Sequence, residues 1–301
     1  MVVNMITPRK VSLVVLIVFL AGCAAGGPGT GEKGYVHNYQ LDEGMEISFE
    51  TVADMVMEMD MPQMPIEGPI EATMSTVMKF EVEEVTEEKV KGALVIEDFD
   101  IEGMGGMLDQ AGAGAALDQV KGTRIPVSMD KRGKSDIPEL PEGLEEMDFV
   151  GGLGGSGFSG GLSSYFIPWP AGPVQPGFSW ADTMSMNQAM TGVDVDVLMV
   201  TEYTYLGLQG EEGVEDSPLF HKVHSVMSMT MGVGADVEDA NMIISGSSSG
   251  ETDLYFSTED GILDKAVGDM RISMLMEMIM PTMEMTIPME TSFASVIRRL
   301  P

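Results

Sequence analysis

The sequence predicts a mainly β protein, with large antiparallel sheet arranged as two duplicated half-barrel-like halves and one or two short helices. Three observations lead there. From Met45 to Met61 the odd positions run Met45, Ile47, Phe49, Thr51, Ala53, Met55, Met57, Met59 and Met61, whereas the even ones are mostly Glu, Asp and Ser, with Val52 and Val56. A period of two held this long belongs to a strand with one buried face. The pattern returns as Met270, Ile272, Met274, Met276, Met278 and Met280, and again as Met283, Met285, Ile287, Met289, Thr291 and Phe293. Third, the Gly- and Ser-rich tract 151–161 separates two stretches of similar layout.

From the N-terminus, residues 1–22 read as a signal peptide, 23–36 as a flexible tether, 37–150 as a first β-rich half, 151–164 as a Gly-rich connector and 165–301 as a second β-rich half. In the first half Gly44-Met45 opens a strand. Met74 to Val85 and Val90 to Asp98 flank the polar turn Thr86-Glu87-Glu88, and a strand enters the Gly turn Met129-Asp130-Lys131-Arg132-Gly133. In the second half Gly177-Phe178-Ser179-Trp180 opens a strand, Val193 to Leu208 alternates through Tyr203 and Tyr205, and Val223, Met227, Met229 and Met231 share a face. Leu254-Tyr255-Phe256 and Ile262-Leu263 are joined through Glu259-Asp260-Gly261, since Asp-Gly favours the positive dihedrals of a tight turn. The two C-terminal runs turn at Pro281-Thr282. Helix signals are confined to 107–120, where Gly112 and Gly114 each cost ~1 kcal/mol relative to Ala, and to 144–150.

Composition excludes several classes. The 301 residues carry 16 Lys+Arg against 48 Asp+Glu, a formal charge of −32, so binding to a phosphate backbone is excluded as a function. One Cys forms no internal disulfide, and with three His it does not fill a Cys/His zinc site. An apolar fraction of 44% excludes disorder of the whole chain.

Arg9 and Lys10 precede the apolar run Val11 to Leu20 and the small residues Ala21 and Gly22, the order of a secretory signal. That run is shorter than the ~20 residues of a membrane span. Leu20-Ala21-Gly22-Cys23 resembles a bacterial lipobox, in which the Cys becomes the acylated first residue of the mature chain. The resemblance implies lipidation of Cys23 by chains of the palmitate type and anchoring in the cell envelope, each buried CH₂ adding ~0.8 kcal/mol. Ala24 after the Cys, by resemblance to Gram-negative lipoproteins, implies the outer membrane. Loss of residues 1–22 removes two cations and no anion, leaving 14 Lys+Arg against 48 Asp+Glu, or −34. Ala24 to Gly31 lacks periodicity and spans roughly 15–20 Å as a flexible coil.

Ile167-Pro168-Trp169-Pro170-Ala171-Gly172-Pro173-Val174-Gln175-Pro176-Gly177-Phe178-Ser179-Trp180, the Met-alternating strand after Leu41-Asp42-Glu43-Gly44, and the Gly246 to Gly250 approach to a strand ending in Asp260-Gly261 form a further set of marks. Together they resemble an uncharacterised family of bacterial β-rich secreted proteins and lipoproteins that carry a domain of unknown function. The resemblance covers most of residues 36–300 and implies a large antiparallel sheet with no known activity.

Candidate chemistry is sparse. Gly157-Phe158-Ser159-Gly160-Gly161 has the spacing of a nucleophile elbow, and Gly152 to Gly157 that of a dinucleotide fingerprint, but both lie in a glycine tract without the strand and helix such motifs require. No catalytic residue is assigned. His221 and His224, three apart, point to opposite faces of a strand and read as surface histidines. The acidic clusters Glu81-Glu83-Glu84-Glu87-Glu88 and Glu211-Glu212-Glu215-Asp216 lack calcium-loop spacing and read as solvated turns. No metal site and no cofactor is assigned.

Methionine is the unusual feature, at 30 residues. Its flexible thioether suits adaptable packing, an apolar ligand surface or a soft ion such as Cu(I). The candidate ligand-binding residues are Met55, Met57, Met59, Met61, Met227, Met229, Met231, Met274, Met276 and Met278. The expected function is that of a non-enzymatic, lipid-anchored envelope protein presenting a Met-lined sheet face to a lipid, another hydrophobic ligand or an envelope protein. The alternatives are a Met-based Cu(I)-binding protein and a ligand-free structural or interaction module.

Overall fold

The computed structural model describes residues 34–59, 68–103, 121–135, 164–190, 193–210, 218–237, 240–280 and 283–301. Among these residues there are ten strands: β1 (Glu46–Met59), β2 (Ile70–Val85), β3 (Lys89–Glu102), β4 (Arg124–Asp130), β5 (Ser179–Met190), β6 (Val193–Gln209), β7 (Phe220–Val237), β8 (Ala240–Phe256), β9 (Leu263–Met280) and β10 (Met283–Arg299). The mainly β expectation holds, and the alternating segments read from the sequence fall within these strands, except that Met45 stands just before β1 and Met61 lies outside the described residues. Both helix candidates, 107–120 and 144–150, lie outside the described residues, as do Cys23 and the Gly-rich connector up to residue 163.

All ten strands belong to one antiparallel sheet in the order β4-β3-β2-β1-β10-β9-β8-β7-β6-β5. Two meanders, β1–β4 and β5–β10, are joined where the first strand pairs with the last, from Phe49↔Arg299 to Met59↔Met289. The register places the alternation as expected. Opposed residues share a face, so Phe49, Thr51, Ala53, Met55, Met57 and Met59 align with the odd residues of β10 and, through them, the even residues of β9. Even positions of β1 carry Glu46, Glu50, Asp54 and Glu58 on the opposite face.

The sheet is curled. Of the four register shifts in the described strands, those at Val82/Glu84, Tyr205/Gly207 and Tyr255/Phe256 fall toward the same end, where bulges bend the strands, and the fourth, at Val77/Met78, lies nearer the middle of β2. Two segments outside the strands, 34–45 and 164–178, close that end. Tyr35 and Val174 exchange backbone hydrogen bonds of 2.9 and 2.8 Å, so the end of the segment read as tether is held. Tyr39 N donates to Lys131 O at 3.1 Å, Gln40 N to Asp260 O at 3.0 Å, and Trp169 N to Arg132 O at 2.8 Å. Gly133 makes the closure fit. Its φ is +89°, and an added Cβ would stand 2.4 Å from Ile167 O and 2.5 Å from Tyr39 Cε2.

Two apolar clusters result, one toward each end of the strands. At the closed end, Phe49, Phe80, Leu94, Ile96, Ile125, Met129, Phe256 and Leu263 of the sheet pack with Tyr39, Tyr165, Phe166, Ile167 and Trp169 of the closing segments. Phe49 stacks on Tyr165 at 4.5 Å, and Phe166 meets Tyr39 and Phe80 edge-on, both at 5.1 Å. The second cluster comprises Ile272, Met274, Ile287, Met289 and Phe293, with Met55, Met59, Met231, Met270, Met276 and Met285 against it.

Candidate functional site

The register resolves the core face into rows that cross the sheet. One step in from Phe49 and Phe256 at the closed end, Thr51, Ile297, Ala266, Leu254, Val223 and Tyr205 face one another on β1, β10, β9, β8, β7 and β6. The next row is Ala53, Ser295, Gly268, Thr252 and Ser225, with no side chain larger than threonine on five adjacent strands. Beyond it come Met55, Phe293, Met270, Gly250, Met227 and Thr201, then Met57, Thr291, Ile272, Ser248, Met229 and Met199.

The small row leaves a hollow. A cavity of about 170 Å³ is bounded by residues of β1, β6, β7, β8, β9 and β10 and by Ser164 and Ile167 of the second closing segment. Laid flat, β1 and β6 would stand ~24 Å apart at the usual strand spacing, so one cavity touching both requires a strongly curled sheet. The walls mix Met199, Met227, Met270, Phe293 and Leu254 with the hydroxyl residues Thr51, Thr201, Ser225, Thr252 and Ser295. Thr51 Oγ1 lies 3.2 Å from the Tyr165 hydroxyl, and Ser225 Oγ donates to Thr252 O at 3.3 Å.

The candidate methionines share this face. Met55, Met57, Met59, Met227, Met229, Met231, Met276 and Met278 are half-buried, and Met274 is buried. Met61 lies outside the described residues. Met59, Met289 and Met274 are successive partners on β1, β10 and β9. Met231 is separated from Met274 only by Gly246, over which both side chains close: a Cβ there would lie 2.9 Å from Met274 Cγ and 3.4 Å from Met231 Cγ.

The histidines require a correction. His221 and His224 do point to opposite faces, but His221 is 3% exposed and is no surface residue, because it is roofed by the N-terminal closing segment. Its ring is 4.1 Å from Tyr35 and 5.4 Å from His37, and its Nδ1 is 2.8 Å from the Tyr205 hydroxyl. His37 stacks on Trp169, and its Nε2 donates to Gly261 O at 3.1 Å, while Nδ1 is buried without a partner. Burial, and secondarily His221, pulls the His37 imidazole down to about 4 against its Gly261 bond, and burial also lowers His221. Desolvation likewise pushes the Tyr39 and Tyr203 phenols upward. This cluster is a neutral structural seal, and nothing in the sequence marked His37 for it, since its partners lie 132 and 224 residues away.

On the outer face, His224 Nδ1 pairs with Asp253 at 2.9 Å and Lys222 Nζ with the same carboxylate at 2.8 Å. Burial alone would raise the Asp253 carboxyl, but hydrogen bonds from Lys222 and His224 hold it below the usual range. Glu81 takes both Lys79 and Arg124, and Glu83 takes Arg124, so these acids are spent on ion pairs. Glu211 to Asp216 and the Gly157 to Gly161 motif lie outside the described residues. Among the described residues no three His, Cys, Asp or Glu side chains are grouped to hold a metal ion.

No protein-family model matches the chain, and no curated protein does. Solved structures similar to it include OmpT, an outer membrane protein of Vibrio cholerae, at 9% identity over 88% of this chain and 100% of that one, with a TM-score of 0.25. A variant of the porin of Rh. blastica shares 7% identity over 85% and 100%, with a TM-score of 0.24. OccK5 of Pseudomonas aeruginosa shares 5% over 85% and 98%, with a TM-score of 0.23. At such scores the likeness says nothing of function or location; what the chain itself displays is a single curled antiparallel sheet closed at one end and lined with methionine toward the other.

Proposed function

We propose that this is a non-enzymatic lipoprotein of the cell envelope, held through acylated Cys23 in the outer membrane of a Gram-negative cell, which binds the acyl chain of a lipid on its Met-lined core face. The cavity behind the small-residue row is the observation that carries the reading. At about 170 Å³ it is comparable to an engineered protein cavity that accepts one benzene, so it takes a segment of about six carbons. The rest of a longer chain continues over the half-buried methionines, whose unbranched side chains adapt to it. Native mass spectrometry of residues 24–301, prepared from a bacterial periplasm without detergent, tests this. A co-purifying lipid-sized mass is expected; a clean apo mass that takes up no acyl lipid on titration overturns it.

Cu(I) binding is a second reading, favoured by the succession Met59, Met289 and Met274 with Met231 meeting Met274 over Gly246. Thioether sulfur is a soft ligand suited to that ion. An anaerobic competition assay against a Cu(I) chelator decides it, and failure to compete eliminates it. A protein that takes neither ligand is a structural or interaction module.

A further inference from the structure

Resting on the acyl-binding reading, we infer that the core face selects an uncharged acyl ester of the glyceride kind and rejects lipids that would bury an anionic group. Charge carries the first part. Of the 16 Lys and Arg residues, Arg9 and Lys10 belong to the leader and Lys33 precedes the described residues. The remaining 13 all fall in described segments, and none of them lines the cavity. Segments 60–67, 104–120, 136–163 and 211–217 contain no Lys or Arg, so they bring no cation to the face. Lys79, Lys91, Arg124, Lys222 and Arg299 are each engaged by acids of the chain itself. A phosphate or carboxylate drawn into the cavity would lose its water without a counter-charge, and that cost is large.

Two orphaned hydroxyls carry the second part. Ser248 Oγ and Thr291 Oγ1 are buried on the core face without a hydrogen-bond partner, their residues 5% and 3% exposed. They flank Ile272 in the register row that also holds cavity-lining Met199. A hydroxyl buried without an acceptor is costly, and an ester carbonyl is an acceptor that brings no charge. An acyl ester thus places its alkyl segment in the cavity and its carbonyl within the row of Ser248 and Thr291.

The test uses the mature chain, freed of lipid and titrated with three probes: dioctanoylglycerol, dioctanoyl phosphatidylglycerol and decyltrimethylammonium. Each is measured at low salt and at about 0.5 M salt, where a Debye length of roughly 4 Å removes repulsion by the acidic surface. Dioctanoylglycerol is expected to bind at least tenfold more tightly than either charged probe at both salts, the anion because no Lys or Arg lines the cavity and the ammonium because it carries no ester carbonyl to accept from Ser248 and Thr291. Combined Ser248→Ala and Thr291→Val should weaken it at least fivefold without lowering the urea midpoint, because the hydroxyls removed have no partner to lose. Equal or tighter binding of a charged probe overturns the inference while sparing the acyl reading, as does an unchanged affinity in the double variant. Binding of none of the three overturns both.

Discussion

His37 and Trp169 lie ring on ring, with centroids 3.8 Å apart and planes 24° from parallel, and this stack ties the N-terminal closing segment to the second one. Because the imidazole is held neutral, with its pKa drawn from 6.5 to about 4, the unfolded chain binds the extra proton between those values. The seal therefore gives its full stability above about pH 6.5 and loses about 3 kcal/mol as pH falls to 4, with His221 acting in the same direction. Urea midpoints measured from pH 7.5 to 4 for the protein and for His37→Phe check this. The variant keeps a ring on Trp169 but has no imidazole to protonate, so the stability of the protein minus that of the variant should fall by about 3 kcal/mol between pH 7.5 and 4. A constant difference would show that His37 is not protonated on unfolding.

Gly133→Ala should cost more than 2 kcal/mol. The positive φ disfavours any L side chain by about 1–2 kcal/mol, and the added methyl meets the Ile167 carbonyl, which is backbone and cannot turn aside. Both tryptophans lie near this closure, Trp169 being 5.4 Å from Trp180, so their emission should shift to the red in the variant.

Met274→Leu should cost less than about 1.5 kcal/mol and Met274→Ala about 2–5 kcal/mol, since the first conserves volume and the second opens a void between Met289 and Gly246. Urea titration of both variants distinguishes packing from mere coverage.

Dilute peroxide should oxidise Met57, Met229 and Met278 before Met78, Met129 and Met274, because the first three are half-buried and the others at most 5% exposed. Peptide mapping against time reads the order. Bound acyl ligand should slow the first group and leave the second unchanged.

Asp253→Asn should destabilise by about 1–3 kcal/mol. It leaves Lys222, 7% exposed, with a charge and no carboxylate, though the ring of Tyr255 remains 5.2 Å from its ammonium. Lys222→Met in the Asn background should recover part of that loss, as measured by thermal unfolding.

The strands were legible because Met, Ile and Phe alternate with acids over long runs, and a period of two admits no other element. The first half of β8 was obscure: Ser245-Gly246-Ser247-Ser248-Ser249-Gly250 has the composition of a linker, yet it pairs on both sides within the sheet. Its glycines serve close approach, a Cβ at Gly250 standing 2.5 Å from Asp269 O. The cavity was equally hidden. Ala53, Ser225, Thr252, Gly268 and Ser295 are unremarkable in their own segments and become a row only once five strands are in register. Burial of His221 is not written in its own strand for the same reason, as its cover comes from Tyr35.

The pairing of β1 with β10 sets the timetable of folding. Phe49 waits for Arg299, some 250 residues later, before its strand acquires its second neighbour. Until the last residues are available, β1 is an exposed edge rich in methionine, and the closure that completes the sheet is the contact most distant in sequence. A chain threaded across a membrane N-terminus first would display that edge throughout its passage, which makes the interval between the arrival of β1 and that of β10 the period of greatest risk of joining a second copy.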